Sequence, residues 1–333
     1  MLGLDIGSKS IKVIETAQSG DKWVLKTSGI VAYSGNSPDK FQDDKEYETL
    51  AEIVKKLINQ IKVSDKNVNI GLPEAQVFTR TIRFPLLSDE EISAAVKWES
   101  EQYIPIPANE AIIQYSVLEK DEKTASVSVL LVAAPKVVVE KYVKISRLAG
   151  LMPTSAETEL IALNRSVSPM QGTALVLDLG ASYSNIAISK DSNLVFSRSV
   201  PVAGDALSRA LSQTMELNTQ QSDEYKKTYG LSKDQLDGKV RVSLEPIVNV
   251  LIEEIKKVIH FYQTEEKGQL PTSVILSGGT SMMNDLAPSI SNSLGLETLL
   301  ADPFQRIQVD QETLKSLKEF SPYYGVACGL AMR

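Results

Sequence analysis

Two stretches of the sequence decide the fold: LGLDIGSKSIKV at residues 2–13 and LVLDLGASYSNIAI at residues 175–188. Each is an apolar strand that ends in Asp-x-Gly, followed by a turn of small or hydroxyl residues and a second strand. The same hairpin therefore occurs twice, far apart in the chain. A repeat of this length indicates duplication of a domain rather than a solenoid, so we expect two halves that begin alike.

The Asp-x-Gly hairpin has the chemistry of a phosphate and magnesium site. A turn of Gly and Ser brings backbone N–H groups together with no side chain in the way, and such nests bind phosphate oxygens. A carboxylate at the strand end can hold hydrated Mg²⁺, because this ion keeps most of its waters. Two facing hairpins would clamp a triphosphate, with Asp5 and Asp178 directed at one Mg²⁺ through water. A third glycine turn, SGGTSMM at residues 277–283, favours this interpretation over two unrelated tight turns.

The bulk composition excludes several classes of protein. The 333 residues carry a formal net charge of −7 at pH 7, which predicts no nucleic-acid partner. No apolar run approaches the ~20 residues needed to span a bilayer, and charged residues begin at Asp5, so we expect a soluble chain without a signal peptide. A single cysteine cannot form an internal disulfide and fits a reducing cytosol.

The chain has only one histidine and one cysteine, which are too few to supply the ligands of a Cys/His zinc site and make a His-based triad improbable. His260 lies in a stretch with helical spacing and is expected to be an ordinary helix residue, and Cys328 is expected to pack among small residues. The sequence contains no G-x-x-x-x-G-K-[ST] motif and no G-x-G-x-x-G after the first strand. A P-loop and a dinucleotide site are therefore not predicted.

A module with the predicted order β-α-β-β-α interrupts the first half at residues 75–150. Its first helix is expected to start at Ser88, where Glu91 completes a capping box. Trp98 lies in that helix at a spacing that predicts a core position beside its apolar neighbours. After the second hairpin, a mostly helical region is predicted at residues 205–268.

These motifs resemble the actin/heat-shock chaperone/sugar kinase ATPase superfamily. LDIGSKSIKV is similar to its first phosphate motif, LDLGASYSNIAI to its second and VILSGGTSMMNDL to its adenosine motif. SAETELIALNR and YYGVACGLA resemble its two connecting helices. The resemblance implies an α/β fold, the actin-like (ribonuclease H-like) two-domain ATPase fold, with ATP and Mg²⁺ as cofactors.

The resemblance also implies which residues bind the nucleotide. They are Asp5, Gly7, Ser8, Lys9 and Ser10 in the first turn; Asp178, Gly180, Ala181, Ser182, Tyr183 and Ser184 in the second; and Gly204, Asp223, Lys226, Lys227, Gly278, Gly279, Thr280 and Met283 toward the nucleoside. Asp5 and Asp178 would hold Mg²⁺ through water. Gly278, Gly279 and Thr280 would border the adenine and ribose.

Two parts of the implied site leave alternatives open. The superfamily often has Glu-x-x-Lys on a helix that reaches the adenosine, where this chain has Asp223 and Lys226 on one helix face. Asp is shorter than Glu, Lys227 is an alternative to Lys226, and a solvated charged helix is the competing interpretation. Glu157 and Glu159 lie where the superfamily orients an attacking water. Either could act as a general base, or could only cap and support a helix.

The inserted module narrows the resemblance to one branch of the superfamily. It resembles the 1C subdomain of FtsA-like proteins, which replaces subdomain 1B. RFPLLSDEEISAAVKWESEQYIPIP and VLLVAAPKVVVEKYVKISRLAGLMP are similar to the PilM family of the type IV pilus inner-membrane platform. The implied domains are 1–74, 151–173 and 320–333 for subdomain 1A; 75–150 for 1C; 174–204 and 269–319 for 2A; and 205–268 for 2B.

This resemblance implies a cytoplasmic protein of type IV pilus assembly, held at the cytoplasmic face of the inner membrane through a partner. The implied partner is the N-terminal cytoplasmic segment of a PilN-like membrane protein, bound in a groove near 1C. Other platform or motor proteins, self-assembly and weak ATPase activity stay open. The alternative is an FtsA-like, filament-forming cytoskeletal or cell-division protein. A sugar kinase is not favoured, because the module and the helical region do not resemble those enzymes.

Overall fold

The computed structural model describes residues 1–333, apart from the side chain of Glu101. The strands, numbered along the chain, are β1 (Leu2–Ile6), β2 (Ser10–Ser19), β3 (Lys22–Ala32), β4 (Asn67–Leu72), β5 (Phe78–Pro85), β6 (Ala111–Asp121), β7 (Ser126–Pro135), β8 (Met152–Thr158), β9 (Thr173–Leu179), β10 (Ser184–Lys190), β11 (Asn193–Val200), β12 (Ser273–Ser277), β13 (Glu297–Leu300) and β14 (Ile307–Gln308).

The helices follow the apolar periodicity of the sequence. They are α1 (Asp44–Gln60), α2 (Asp89–Tyr103), α3 (Lys136–Leu148), α4 (Glu159–Val167), α5 (Gly204–Met215), α6 (Thr219–Thr228), α7 (Lys239–Thr264), α8 (Leu286–Leu294), α9 (Gln311–Leu317) and α10 (Gly325–Ala331). The predicted helical region after the second hairpin corresponds to α5, α6 and α7. His260 lies within α7, as expected. Among the described residues, no helix is long and apolar enough to cross a bilayer.

The two halves repeat one sheet topology. The first sheet has the order β14-β3-β2-β1-β4-β8 and the second has the order β11-β10-β9-β12-β13. In both sheets, three antiparallel strands are followed by parallel neighbours, so β1 to β4 correspond to β9 to β12. Nearly every residue of β1 and β9 is buried, which explains why these strands are continuous apolar runs. The predicted duplication is confirmed.

Helices α4 and α10 cross between the two sheets. Their apolar residues Leu160, Leu163 and Leu330 form one core cluster with Val176 and Ala187 of the second sheet. The two helices approach so closely that a Cβ on Gly329 would lie 1.8 Å from the Ala162 carbonyl oxygen. The buried thiol of Cys328 packs in the same helix, as expected, and burial raises its pKa. The two halves therefore meet through a tightly packed helix pair.

The inserted module contains β5, α2, β6, β7 and α3 in that order, and its three strands form a separate sheet, β5-β7-β6. This is the element order that the sequence indicates. The Ser88–Glu91 capping box at the start of α2 is also confirmed. The boundaries of the four subdomains stay a prediction.

The prediction for Trp98 is wrong, since its side chain is 64% exposed. Ile92 and Val96, which lie four residues apart, both pack against the module's sheet and are buried. At about 100° per residue, Trp98 lies roughly 200° around the helix from Val96 and so faces away from that sheet. The position of Trp98 relative to Ile92 and Val96 therefore corresponds to the solvent-exposed side of α2.

Candidate functional site

The first hairpin places an acid and a base side by side. Asp5 on β1 is paired in register with Lys12 on β2, and Lys12 Nζ lies 3.1 Å from Asp5 Oδ2. Asp5 is buried, with 4% of its surface exposed. Burial alone would lower the pKa of Lys12, but the charges of Asp5, Asp178 and Glu159 raise it above its ordinary value. Lys12 is thus charged at neutral pH and fixed at the strand end.

The second hairpin repeats this geometry with one change. Asp178 on β9 is paired in register with Asn185 on β10, so a neutral amide stands where the first hairpin has a lysine. Burial, and then the charge of Asp5, raise the pKa of Asp178 to about 6. The two Asp-x-Gly acids are therefore close enough to repel each other. That both acids face one Mg²⁺ in a cleft stays a prediction.

A third carboxyl group joins these two from the start of α4. Glu159 Oε2 accepts hydrogen bonds of 3.4 Å from the backbone N–H of Glu74 and from Asn185 Nδ2. Burial, followed by the charges of Asp5 and Asp178, raises the pKa of Glu159 well above its usual range. The site thus holds more carboxylate than the one lysine can neutralise.

Such an excess of enclosed negative charge suits a cation. Among the described residues, no group of three or more His, Cys, Asp or Glu side chains is placed to ligate a metal ion directly. The carboxylates of Asp5 and Asp178 therefore fit an ion that keeps its own waters, as Mg²⁺ does. Gly278 leaves room beside them, because a Cβ there would lie 2.8 Å from Asp178 Oδ1. The residues present fit hydrated Mg²⁺.

Both hairpin turns have the same backbone geometry. The Gly7 N–H donates to the Ser10 carbonyl at 3.0 Å, and the Gly180 N–H donates to the Tyr183 carbonyl at 3.1 Å. These compact turns are those that the sequence predicts for phosphate binding. Ser8 also lies in the first turn and is half-buried.

The second turn contacts the two glycine segments expected near the nucleoside. The Gly180 carbonyl accepts from Thr280 Oγ1 at 2.9 Å and from the Gly204 N–H at 3.1 Å. A Cβ on Gly204 would lie 2.7 Å from Thr280 Oγ1, so this approach requires glycine. Ala181 accepts from the Asp205 N–H at 2.8 Å. The structure thus brings together three segments that are far apart in sequence.

Three other predicted residues have different environments. Tyr183 is 40% exposed, whereas Ser184 is buried and its hydroxyl donates to the Val202 carbonyl at 2.6 Å. Met283 is 5% exposed and belongs to the apolar core of the second half. Ser184 and Met283 therefore support the site from behind and offer little surface to a ligand.

The glycine turn after β12 is shaped by its neighbours. Gly278 has φ +83°, a backbone conformation that L side chains rarely adopt. A Cβ on Gly279 would lie 2.7 Å from the ring of Tyr323, which covers that side of the turn. Gly278 is therefore required by its backbone conformation, and Gly279 by the close approach of the Tyr323 ring.

Lys226 is not part of a solvated charged helix. Its Nζ is buried and donates to the Gly204 carbonyl at 2.9 Å, to Ser208 Oγ at 2.6 Å and to Asp223 Oδ1 at 3.0 Å. Asp223 and Lys226 thus share one face of α6, as the i,i+3 spacing predicts. The adjacent Lys227 is exposed. Of the two lysines, Lys226 is the one directed into the site.

Glu157 and Glu159 differ in their surroundings. Both carboxylate oxygens of Glu157 accept from Arg165, at 2.6 and 2.8 Å, and Arg333 Nη1 lies 3.8 Å from Glu157 Oε2. Arg165 also donates to the Gly329 carbonyl at 2.7 Å. Glu157 therefore stabilises the contact between α4 and α10, and Glu159 alone joins the cleft carboxyl groups.

Sequence analysis missed Glu74, a buried acid in the turn before β5. Its Oε1 accepts from Ser197 Oγ of β11 at 2.8 Å, and its N–H donates to Glu159. Burial raises its pKa above the usual range, against the hydrogen bond from Ser197, and its Oε2 is buried without a hydrogen-bond partner among the described residues. Glu74 thus connects the cleft to the second half of the molecule.

Replacing Glu74 by Gln is expected to stabilise the protein at high pH. A carboxyl group whose pKa is raised by folding loses stability as pH rises through that pKa, and an amide does not. The gain should be of order 1 kcal/mol at pH 8, for each unit of pKa shift, and should vanish by about pH 4. Urea unfolding of wild type and Glu74→Gln across this pH range measures it.

A suitable control for this experiment is Glu91→Gln. Glu91 accepts from Ser88 in the α2 capping box, and these hydrogen bonds lower its pKa. Loss of this carboxylate should therefore destabilise the protein at high pH, which is the opposite sign. Equal and same-signed effects of the two variants would contradict the assignment of Glu74 as a buried acid.

Comparison with known proteins decides the family. The family model described as type IV pilus assembly protein PilM matches residues 3–333. The chain belongs to the PilM family. A solved PilM-PilN type IV pilus biogenesis complex contains a chain that is 25% identical, with a TM-score of 0.85 over 100% of this chain and 97% of that one. The extent of this match places the inserted module and both hairpins within one PilM-type architecture.

More distant relatives show how widely the fold is shared. The cell division protein FtsA of Streptococcus pneumoniae is 22% identical over 91% of this chain and 75% of its own length. MreB5 of Spiroplasma citri, solved bound to AMPPNP, is 13% identical with a TM-score of 0.54, over 99% of this chain and 94% of that chain. The predicted actin-like two-domain fold is confirmed.

Proposed function

We propose that this PilM-family chain binds Mg-ATP in the cleft between its two halves. The observation that carries the proposal is the pair of Asp-x-Gly hairpins, in which Lys12 contacts Asp5 and the charges of Asp5 and Lys12 both act on Asp178. Mg²⁺ would supply positive charge that offsets both carboxylates and the phosphate oxygens, through its bound waters. The turns at Gly7 and Gly180 would hold the phosphates. The MreB5 structure, which shares this fold and was solved bound to AMPPNP, supports nucleotide binding.

Within that site we assign Glu159, and not Glu157, the role of orienting a water for slow ATP hydrolysis. Glu159 faces Asp5 and Asp178, whereas Glu157 is held by Arg165. To act as a general base, Glu159 would first have to lose the proton that its raised pKa favours. Because burial and two acids both disfavour its charge, a bound cation would favour the deprotonated form.

The proposed partner is the cytoplasmic N-terminal segment of a PilN-like membrane protein. The match to a PilM-PilN complex supports it, and the module offers exposed apolar side chains. Ile112 on β6 and Val137 at the start of α3 are 41% and 58% exposed. Ile112 is paired in register with Ala134, which is three residues before Val137. An extended peptide could bind there through apolar side chains and main-chain hydrogen bonds, which would hold the protein at the membrane through its partner.

Filament formation is the second candidate function, and the 22% identity with FtsA favours it. Sedimentation with Mg-ATP distinguishes filament formation from the binding of a PilN-like segment. Polymers that form without the peptide would support the filament function, and small species at all concentrations would count against it.

The central experiment is calorimetric titration of a synthetic peptide from the N-terminus of the cognate PilN-like protein. It is run with and without saturating Mg-ATP, and phosphate is assayed afterwards. We expect saturable binding in at least one state, with the difference between the two giving the coupling free energy. Absence of peptide binding in both states would refute the partner assignment.

Two matched variants locate the groove. Val137→Asp should weaken peptide binding by at least about tenfold, since it places a charge in an apolar contact. Val242→Asp makes the same change on α7, where the valine is 70% exposed, and should have no effect. Equal peptide affinities of the two variants would show that Val137 on α3 does not line the groove.

A further inference from the structure

Lys9 spans the cleft by direct contact. It lies in the turn between β1 and β2, and its Nζ is 2.6 Å from Asp205 Oδ1 and 3.6 Å from Asp223 Oδ2. Asp205 belongs to the first turn of α5 and Asp223 to α6, so both acids lie in the second half. We propose that Lys9 is an interdomain latch, which holds the first hairpin against α5 and α6 and commits Asp223 to cleft closure instead of sugar recognition.

The two acids that Lys9 contacts are themselves held in place. Asp223 Oδ1 accepts from Ser208 Oγ and Lys226 Nζ, and Asp205 Oδ2 accepts from Ser182 Oγ at 3.3 Å. Lys226 has no spare donor, because its three N–H bonds go to Gly204, Ser208 and Asp223. Lys9 therefore meets a preformed pair of carboxylates and not two free side chains.

Lys9 and Asp223 favour each other's charged form. Burial acts to raise the pKa of Asp223, but the Ser208 hydroxyl and the charges of Lys226 and Lys9 lower it overall. For Lys9, burial acts to lower the pKa, and the two acids raise it overall. In contrast, burial lowers the pKa of Lys226, the other lysine that contacts Asp223.

A single exposed ion pair would contribute little to closure. The Lys9 side chain is 47% exposed and that of Asp205 is 29% exposed, which is the range where isolated pairs are weak. Here one lysine faces two acids that are already ordered by part-buried hydrogen bonds, so less side-chain entropy is lost when the contact forms. The contact also joins the two halves through residues that do not belong to the α4–α10 crossing.

The latch has a consequence for nucleotide choice, which rests on the proposed ATP site. Asp223 Oδ1 accepts from Ser208 and Lys226, and Asp223 Oδ2 faces the ammonium of Lys9 at 3.6 Å. A ribose 2′-hydroxyl that donated to Oδ2 would have to compete with Lys9 for this oxygen. The site should then discriminate poorly between a ribonucleotide and its 2′-deoxy form, since the latch would have to loosen before the 2′-hydroxyl gains its hydrogen bond.

The latch is tested by the distance between the two halves in protein without added nucleotide. Spin labels are attached through Ser34→Cys beside the first hairpin and Gln235→Cys beyond α6. Both positions are exposed, while the native Cys328 is buried. Lys9→Glu is expected to shift the distance distribution to larger values, because three acids would then face each other. Adding Asp205→Lys should move the distribution back toward that of the wild type.

Lys22→Glu is the matched control, since Lys22 is exposed at the far end of the same sheet and the charge change is identical. It should leave the distribution unchanged. An unchanged distribution in Lys9→Glu, or an opening that Asp205→Lys fails to reverse, would overturn the latch. This measurement needs no ligand, so it decides the latch even if Mg-ATP does not bind.

The second readout compares Mg-ATP with Mg-dATP by calorimetry on the wild-type protein. The two dissociation constants should agree within about threefold, because the 2′-hydroxyl would have to compete with Lys9 for Asp223 Oδ2. A larger loss of affinity for dATP would show that Asp223 leaves the latch to bind ribose, and would overturn that part of the proposal. Failure of both nucleotides to bind would refute the proposed ATP site and leave the spin-label result standing.

Discussion

Gly329→Ala is expected to destabilise the protein by at least about 3 kcal/mol, enough to unfold a large fraction of many natural domains. The added Cβ would lie 1.8 Å from the carbonyl oxygen of Ala162 and 2.4 Å from its carbon. Both atoms belong to the backbone of α4, so no side-chain rotation can relieve the clash. The helices would have to separate, which would open the core between the two halves. Urea unfolding followed by circular dichroism measures the loss.

Gly71→Ala provides the matched control for this prediction. A Cβ on Gly71 meets the same helix, α10, but at 3.4 Å from Leu330 Cδ1 and 3.6 Å from Val326 Cγ1, which are ordinary contacts. We expect its effect to stay within about 1 kcal/mol. Similar midpoints for the two variants would contradict the close crossing of α4 and α10.

The crossing also affects the site. Because α4 begins at Glu159, any displacement of this helix moves the third carboxyl group away from Asp5 and Asp178. Gly329→Ala, if kept folded by a stabilising osmolyte, should therefore bind Mg-ATP less well than the wild type in the same osmolyte. Stability and ligand binding depend on the same contact.

The parts of the molecule that were predictable have local signals. Each Asp-x-Gly hairpin is encoded within a few consecutive residues, and the capping box of α2 requires only Ser88 and Glu91. Two similar hairpins then imply two similar sheets, since each must bury its apolar strand. These features do not depend on knowing which distant segments meet.

The residues that were missed depend on long-range contacts or on strand register. Lys12 is one polar residue of a strand, and only the pairing with β1 places it opposite Asp5. Glu74 follows a Gly/Pro stop and so looks like a surface turn, yet its partner Ser197 lies 123 residues away. The Lys9–Asp205 contact likewise joins two halves of the chain. The error at Trp98 is different, because the helical angle from Val96 was available in the sequence.

Lys12→Met is expected to cost about 3–5 kcal/mol of stability at pH 8, because it leaves buried Asp5 without its cation. It should also abolish measurable Mg-ATP binding, since Lys12 is the one lysine of the carboxyl cluster. The charge of Lys12 holds down the pKa of Asp178, which is nevertheless raised to about 6. Without Lys12 this pKa rises further, so the native protein binds more protons and its stability falls as pH increases. The deficit should therefore be smaller at pH 5 than at pH 8.

Lys26→Met tests whether this loss is specific to the cleft. Lys26 lies in the same sheet and pairs with a buried acid, Glu15, at 3.6 Å, but the lysine side chain is 50% exposed. Glu15 also accepts from the backbone N–H and hydroxyl of Ser64, so it keeps partners when Lys26 is removed. Lys26→Met should therefore cost less than about 1 kcal/mol of stability and leave Mg-ATP binding intact. If Lys12→Met costs no more than Lys26→Met at pH 8, Asp5 does not depend on Lys12. If Lys12→Met also binds Mg-ATP normally, the cleft carboxylates are not arranged around this lysine for a nucleotide.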